Sequence, residues 1–454
     1  MENTVLEEIM TLFEERKFAQ LRSIISEMNA ADAVLIFEEI PSRDLPLLFR
    51  LLPKELAAET FVEMDPDMQL SLIEAFSDRE LREVVDEMYI DDTVDIIEEM
   101  PANVVAKILR NTNSETRKVI NDILKYPKDS AGSIMTTEYI DLKRHMTVAD
   151  AFVRIRKMGV DSETIYTCYV TENRKLVGLV SVKKLLISDE NSSIDDIMET
   201  NIIYVNTHDD KEDVARMFGK YDFLAIPVVD REERLVGIVT FDDAMDVIEE
   251  ENTEDIEKMA SIAPTDKPYL KTGVFETWKT RIVWLLFLMI SSTFTQMILN
   301  NYEDKLKAIA VLTSFIPMIM GTGGNSGNQS SVTVIRGLSL GDIELRDIFR
   351  VIGKEMRVAL LCGITLAAAN FVKMLLVDCL LLGNSAITVS IAVTVSLTIL
   401  MTVFMAKTIG CVLPMAAKII GVDPAVMASP FISTISDALS LLIYFAVATH
   451  VLGI

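Results

Sequence analysis

The residue with the clearest chemical potential in this sequence is Asp437, a carboxylate inside the last long apolar stretch, residues 425–451. The stretch begins near Pro424, so Asp437 lies about 13 residues in, or ~20 Å at a helical rise of ~1.5 Å per residue. That depth is close to the midplane of a hydrocarbon core ~30 Å thick. A carboxylate there is costly and usually marks an ion pathway or a proton relay. The alternative is a neutral Asp437 hydrogen-bonded to neighbouring hydroxyls, among them Ser433.

A second polar feature interrupts an earlier apolar stretch, residues 308–335. The run GTGGNSGNQSS (321–331) contains four glycines together with Asn325, Asn328 and Gln329. Amides facing lipid need hydrogen-bond partners, whereas small residues let helices approach closely. The run therefore predicts either a polar wall of a water-filled path or a glycine packing seam, and both can hold together. It lacks the Lys of a phosphate-binding loop and follows an apolar helix rather than a strand.

The types of side chain near Asp437 favour Mg2+ over other cations. Mg2+ sheds its waters reluctantly and is commonly held by one or two carboxylates through retained waters. A stripped K+ calls for rings of carbonyl oxygens, and a transition metal favours His, Cys or Met ligands, none of which cluster beside Asp437. Two copies of Asp437 facing each other across a dimer axis would supply two charges to a hydrated ion. An odd number of spans also favours a dimer as the simplest symmetric pore.

Charge divides the sequence into two parts. The whole chain carries 68 acidic and 43 basic residues, a net charge of -25. Residues 1–270 have a net charge of -28, and residues 271–454 have a net charge of +3. A polyanionic region repels nucleic acid and anionic lipid and attracts cations. We therefore expect no nucleic-acid partner, and either a solvated acidic surface or a cation-sensing one.

The first 130 residues predict an acidic, all-helical domain. Segments such as DDTVDIIEEMP (91–101) combine helically spaced apolar residues, acid pairs and a proline that ends the helix. Short helices repeated in this way stack into a superhelical domain.

A clearer repeat follows in residues 131–246. The segment YVTENRKLVGLVSVKKLL (169–186) matches VVDREERLVGIVTFDDAM (228–245), and each predicts strand, turn, strand and helix. The two copies, about 134–196 and 197–246, resemble a CBS-domain pair, a cytosolic regulatory module. CBS pairs often bind adenosine nucleotides such as ATP, and the resemblance points to Thr240 and Asp243. The first copy has Ser181 and Lys184 at these positions, so we expect at most one nucleotide site, and not the main signal.

Residues 247–270 predict a connecting helix ended by Pro264 and Pro268, and residues 271–454 predict a transmembrane domain. Five apolar stretches have spanning length, at 281–299, 308–335, 355–377, 386–406 and 425–451. Positive residues, including Lys407 and Lys418 in the fourth connection, predict a cytosolic N-terminus and an outer C-terminus. The predicted fold class is thus a multidomain membrane protein with an all-α superhelical N-domain, an α/β tandem CBS pair and a five-span α-helical transmembrane domain.

The order of these parts, with GGNSGNQSS (323–331) and DPAVMASPFISTISDALSLLIYF (423–445), resembles the MgtE family of magnesium channels along the whole chain. The resemblance implies a homodimer in the cytoplasmic membrane whose second and fifth helices form the pore, with the connecting helix as a plug. It implies pore Mg2+ at Asp437 and pore-lining polar groups at Asn325, Asn328, Gln329 and Ser433. It also implies regulatory Mg2+ between acidic faces, at Asp91, Asp92, Asp95, Asp210, Glu212, Asp222, Asp243, Asp246, Glu251, Glu254 and Asp255.

The function that we predict is Mg2+ uptake through a channel that intracellular Mg2+ closes, a negative feedback. No pattern in the sequence indicates an enzyme. Two alternatives stay open: a carrier that couples Mg2+ to Na+ or H+ through the same aspartate, and a nucleotide-sensing receptor that uses Thr240 and Asp243 without transport.

Overall fold

The structure is a computed structural model, and it describes residues 2–160, 162–265, 269–302, 310–383, 386–427 and 429–453. The chain divides into two compact units, Met1–Ile248 and Glu249–Ile454. Pro268 and the first residues of the predicted second span, 308–309, lie outside the described residues.

The first part of unit Met1–Ile248 is a stack of short helices, which confirms the predicted all-α domain. Prolines and capping residues set the lengths; for example, Asp65 caps the helix that starts at Pro66. The helices are α1 (Glu2–Glu14), α2 (Phe18–Ile25), α3 (Ala30–Glu38), α4 (Leu45–Phe49), α5 (Lys54–Val62), α6 (Pro66–Ala75), α7 (Asp78–Val85), α8 (Ile90–Glu99), α9 (Ala102–Asn111) and α10 (Ser114–Ile123).

Two three-stranded sheets follow, one for each copy of the sequence repeat, as predicted. In each sheet the first strand pairs in parallel with the second, and the second pairs antiparallel with the third. The first copy contains β1 (Asp141–Lys143), α11 (Val148–Met158), β2 (Thr167–Glu172), β3 (Lys175–Ser181), α12 (Val182–Ile187) and α13 (Ile194–Ile197). The second contains β4 (Val205–Asn206), α14 (Lys211–Tyr221), β5 (Ala225–Val229), β6 (Leu235–Thr240) and α15 (Phe241–Met259).

The repeated glycine of the LVG turn has a packing reason in both copies. A Cβ atom on Gly178 would lie 2.5 Å from the sulfur of Met198, and one on Gly237 would lie 2.7 Å from the Thr136 carbonyl oxygen. At Gly237 the obstacle is backbone, so that strand needs glycine where a neighbouring segment crosses it; at Gly178 a larger residue would force the Met198 side chain to move.

One apolar core runs through the helical domain and into the second copy of the repeat. It includes Phe37, Phe61 and Leu72 from the helices and Phe218 and Val239 from the second sheet and its helix. The helical domain and this copy are therefore packed together within one unit, although the sequence pattern changes near residue 130.

The unit Glu249–Ile454 contains five long helices within its described residues. They are α16 (Val274–Asn301), α17 (Ile316–Ser339), α18 (Ile348–Lys373), α19 (Val389–Ile419) and α20 (Ser429–Leu452). Short 3-10 turns precede α17, α18 and α20, and a π-helical segment, Met374–Leu381, extends α18.

Four of these helical segments are long and apolar enough to cross a membrane. Among the described residues they are Val274–Asn301, Leu345–Leu381, Val389–Ile419 and Pro424–Leu452. Helix α17, the second predicted span, is not among them because its glycines, asparagines and serines lower its hydropathy. It nevertheless packs between α19 and α20, the apolar spans that shield its polar run.

Glycines let α17 and α19 touch through their backbones. A Cβ atom on Gly410 would lie 2.2 Å from the carbonyl oxygen of Gly327. The packing seam that the sequence offered as one interpretation of the polar run is therefore present.

The predicted fourth connection is wrong in its extent. Helix α19 continues to Ile419 with Pro414 inside it, so Lys407 lies within the helix and is buried. The positive charge of Lys407 predicted a loop, but Glu355 on α18, whose side chain is 13% exposed, pairs with it.

Candidate functional site

A cavity of about 430 Å³ opens between α17 and α20 and contains Asp437. The other residues that line it are Ile316, Pro317, Met320, Gly321, Gly324, Asn325 and Ser433. Asp437 lies about one turn from the middle of the 24-residue helix α20, and Asn325 lies within a turn of the middle of α17. The structure therefore brings three of the predicted pore residues, Asn325, Ser433 and Asp437, into one cavity.

Two other predicted pore residues have different positions. The side-chain amide of Asn328 donates to Ser433 Oγ over 3.2 Å, and Asn328 Oδ1 is buried without a hydrogen-bond partner. Asn328 thus supports the cavity wall from one turn away. Gln329 is exposed and does not line this cavity because the next residue along a helix points about 100° away.

A second candidate site is an acidic cluster in unit Met1–Ile248. One carboxylate oxygen each from Asp91, Glu138 and Glu163 lies within 4.8 Å of the other two. Asp91 is only 3% exposed, and Glu163 Oε2 is buried without a hydrogen-bond partner. Helix α8 presents Asp91 at its first turn, where the backbone N–H of Ile90 donates to Glu138 over 3.0 Å.

The carboxylates of this cluster are close together and repel one another. Burial, then the charge of Asp243, raises the pKa of Asp91 and raises that of Asp92 to about 7. The same two causes raise the pKa of Glu163 to about 8, and burial raises that of Asp243 to about 6. No Lys or Arg of the described residues forms an ion pair with Asp91, Asp92, Glu163 or Asp243. Oxygen ligands with unbalanced negative charge and an orphaned acceptor fit a hard divalent cation such as Mg2+.

The structure leaves other predicted regulatory acids out of this cluster. Asp95, Asp222 and Asp246 are exposed. Asp210 caps α14 and accepts from the backbone N–H of Glu212, whose own carboxylate pairs with Arg216. These two acids are engaged in local contacts of one helix.

The acids at the end of α15 belong to the unit Glu249–Ile454 and form contacts within it. Lys258 Nζ lies 2.7 Å from Asp423 Oδ2 and also pairs with Glu254. The Ser339 hydroxyl donates to Asp255 Oδ2 over 2.9 Å, and Glu251 is half-buried. Burial raises the pKa of Asp255. The end of the connecting helix is therefore attached to the end of α17 and to Asp423, which precedes α20, by a lysine as well as by acids.

The residues predicted for nucleotide binding contact each other. The Thr240 hydroxyl donates to Asp243 Oδ2 over 2.5 Å, and the Thr240 backbone N–H donates to the same oxygen. In the first copy, the Lys184 backbone N–H donates to Ser181 Oγ, so that hydroxyl caps α12 instead.

Sequence reasoning missed Glu138, Glu163, Lys258 and Asp423 as site residues. Glu138 and Glu163 stand in loops around the first sheet, and nothing in their spacing distinguishes them from the many other acids of this region. Asp423 lies just before the last predicted span, 425–451, and nothing in its spacing predicts a contact with Lys258.

Comparison with protein families gives matches to all three parts of the chain. Residues 316–447 match a family described as a divalent cation transporter, MgtE. Residues 28–129 match the MgtE intracellular N domain, and residues 131–189 and 194–250 match CBS domains.

The chain is also similar to curated proteins along nearly its whole length. It is 34% identical to the magnesium transporter MgtE of Thermus thermophilus, over 99% of this chain and 98% of that one. It is 32% identical to the magnesium transporter MgtE of Bacillus subtilis, over 97% and 96% of the two chains.

Two solved structures resemble the first part of the chain. The cytosolic domain of the Mg2+ channel MgtE in complex with ATP is 32% identical, with a TM-score of 0.51, over 53% of this chain and 99% of that one. The soluble part of a magnesium transporter is 29% identical, with a TM-score of 0.52, over 55% and 99%. With full-length relatives above 30% identity and apolar helices of spanning length, this integral membrane protein belongs to the MgtE family of magnesium transporters.

Proposed function

We propose that this chain forms a Mg2+-selective channel that takes up Mg2+ across the cytoplasmic membrane. The observation that carries the proposal is the cavity between α17 and α20, where Asp437 faces Asn325 and Ser433. One carboxylate with amide and hydroxyl groups suits an ion that keeps its water shell, because the waters bond to the polar groups and the charge attracts the ion.

The composition of the cavity wall supports a homodimer. All of its lining residues among those described come from two helices, α17 and α20. A single chain therefore offers one carboxylate and an incomplete wall, whereas a twofold axis beside Asp437 would supply a second carboxylate and close the path.

The acidic cluster supports regulation by intracellular Mg2+. A divalent cation bound by Asp91, Glu138 and Glu163 would relieve the repulsion that Asp92 and Asp243 add. Such an ion stabilises the arrangement that holds these carboxylates together, to the extent that it binds this arrangement more tightly than one in which they are apart. The proposed consequence is closure of the pore at high intracellular Mg2+, transmitted through α15.

Nucleotide binding is a further part of the proposal. A solved relative of the first unit contains ATP, and Thr240 and Asp243 have the spacing that CBS pairs use for nucleotides. Because Asp243 also faces the acidic cluster, a nucleotide there would change the charge that the metal meets.

The orientation follows from charge. The acidic first 270 residues are proposed to be cytosolic, with basic residues at the inner ends of the spans and the C-terminus outside.

The proposal is tested by Mg2+ uptake into proteoliposomes that contain purified Asp437→Asn. Removing the charge while keeping the shape should lower the uptake rate at least about tenfold, a loss of ~1.4 kcal/mol in the interaction with the ion. Asp342→Asn, an exposed acid between α17 and α18, is the matched control and should transport like the wild type.

Undiminished uptake by Asp437→Asn would remove this residue from the pathway. Single-channel recording separates the channel from a coupled carrier, because a carrier gives no unitary conductance events and depends on a Na+ or H+ gradient.

A further inference from the structure

Three polar side chains, Ser330, Glu355 and Lys407, form a buried cluster inside the membrane half. The Ser330 hydroxyl donates to Glu355 Oε2 over 2.6 Å, and Lys407 Nζ lies 3.3 Å from Ser330 Oγ and 3.9 Å from Glu355 Oε2. The side chains of Lys407 and Glu355 are 5% and 13% exposed, and Ser330 is 1% exposed. Because the residues come from α17, α18 and α19, the cluster joins three helices.

Net stabilisation is a poor explanation for this cluster. Removing two charges from water costs about as much as their attraction returns, and apolar side chains of similar volume often stabilise a protein as well or better. Charged residues within spans are rare and tend to serve a function. What a buried ion pair does enforce is register, since displacing either partner leaves an uncompensated charge.

The cluster is attached to the face of α17 that lies behind the cavity. Gly321, Gly324 and Asn325 form the stripe of α17 that lines the cavity with Asp437. Ser330 lies nine residues after Gly321, which is about 180° around the helix at 3.6 residues per turn. A rotation or shift of α17 at Ser330 would therefore move Asn325 relative to Asp437.

A close backbone contact lies one turn away from the cluster. Gly327 is in contact with Gly410 on α19, and the Ala406 carbonyl oxygen is 3.2 Å from where a Gly327 Cβ would be. Smooth glycine surfaces allow helices to approach closely but do little to prevent them from sliding. The charged pair supplies the fixed register that the glycines lack.

We propose that the Glu355–Lys407 pair, together with Ser330, is a positioning site for Mg2+ permeation. It fixes the rotation and register of α17 on α18 and α19 and thereby holds Asn325 opposite Asp437. None of the three residues lines the cavity, so they act on the ion through α17. This inference rests on the proposed Mg2+ transport.

The experiment measures initial Mg2+ uptake against external Mg2+ concentration in proteoliposomes with equal amounts of monodisperse protein. Glu355→Gln and Lys407→Met should each raise the half-saturating Mg2+ concentration about tenfold, which is ~1.4 kcal/mol. The exchanged pair, Glu355→Lys with Lys407→Glu, should restore it to within about threefold, because opposite charges again face each other. Lys354→Met, an exposed lysine next to Glu355 on α18, is the matched control and should leave the value unchanged.

The outcomes separate positioning from folding. A variant that only misfolds lowers the maximal rate through loss of active protein and keeps the half-saturating concentration. That result, or an exchanged pair as impaired as the single variants, overturns the proposal. If Lys407→Met gives no monodisperse protein, Ser330→Ala replaces it; the half-saturating concentration is then expected to rise about threefold, and an unchanged value overturns the inference. Absence of uptake by the wild type would instead defeat the proposed function.

Discussion

Asp91 is the residue whose environment departs furthest from that of an ordinary surface acid. It is buried at the start of α8 beside Glu138 and Glu163, and the surrounding charges that raise its pKa are all negative. Ionising a buried carboxylate beside other negative charges is costly, and the group avoids this cost by holding a proton. A bound divalent cation would instead make the ionised form favourable. Protons and Mg2+ should therefore compete for the cluster.

This competition predicts how pH affects stability. Without metal, folding raises the pKa of Asp92 to about 7, of Glu163 to about 8 and of Asp243 to about 6. The folded state then holds more protons than the unfolded state, so the free energy of unfolding falls as pH rises from about 4 to about 8. We expect a metal-free fragment of residues 1–265 to melt at a lower temperature at pH 8 than at pH 5.5. Added Mg2+ should raise the melting temperature more at pH 8.

Glu163→Gln provides the test at the level of one residue. It removes one of the repelling charges, so the metal-free fragment should have a higher melting temperature at pH 8. Added Mg2+ should then raise that temperature less than in the wild type. Glu27→Gln, an exposed acid on the helical domain, should change neither quantity. If Mg2+ raised the melting temperature of Glu163→Gln as much as that of the wild type, this would contradict a metal site at this cluster.

At the scale of elements, the decisive one is α15, which begins in the second sheet copy and ends against the membrane half. Met259 at its end packs on Ile335 and Ala425. Burial alone would lower the pKa of Lys258, but its hydrogen bonds to Asp423 and Glu254 raise it on balance. An ammonium group therefore lies between Glu254, which was predicted to bind regulatory Mg2+, and Asp423, which was not.

The contact predicts that Lys258 helps to hold the connecting helix in the closed position. Lys258→Met keeps the apolar stem and removes the ion pairs, which are partly exposed and worth about 1 kcal/mol at most. We expect the internal Mg2+ concentration that half-closes the channel to rise about twofold to fivefold. Patch-clamp recording of inside-out membranes measures this concentration, and Lys258→Arg should close like the wild type. Half-closure at an unchanged concentration in Lys258→Met would show that the lysine is only a surface contact.

At the scale of the whole molecule, two chains are expected to share one path. The cavity beside Asp437 is bounded by α17 and α20 alone among the described residues. Native mass spectrometry from lipid nanodiscs should therefore show a species of twice the mass of one chain. Mixing wild-type chains with Asp437→Asn chains should reduce uptake below the average of the two, because mixed dimers carry one charge. Uptake proportional to the wild-type fraction, or transport by a monomeric species, would rule out the shared path.

The sequence by itself determined the parts of the molecule and their order. Periodicity and the repeated LVG turn predicted the helical domain and the two sheets, because local packing demands, such as those at Gly178 and Gly237, leave a direct mark on the sequence. Apolar length predicted the spans, and the depth of Asp437 predicted that it marks a pathway; the family resemblance predicted that Asn325 and Ser433 line the same path, and all three residues line one cavity.

Only the tertiary structure decided which charges meet. Glu138 and Glu163 join Asp91 from loops more than 40 residues away, and Lys258 finds Asp423 across 165 residues. The sequence predicted Lys407 to lie in a loop, whereas in the structure it lies in a helix beside Glu355 of another helix. Such pairings depend on how elements pack, and a charged residue has the same local pattern whether its partner is water or a distant side chain.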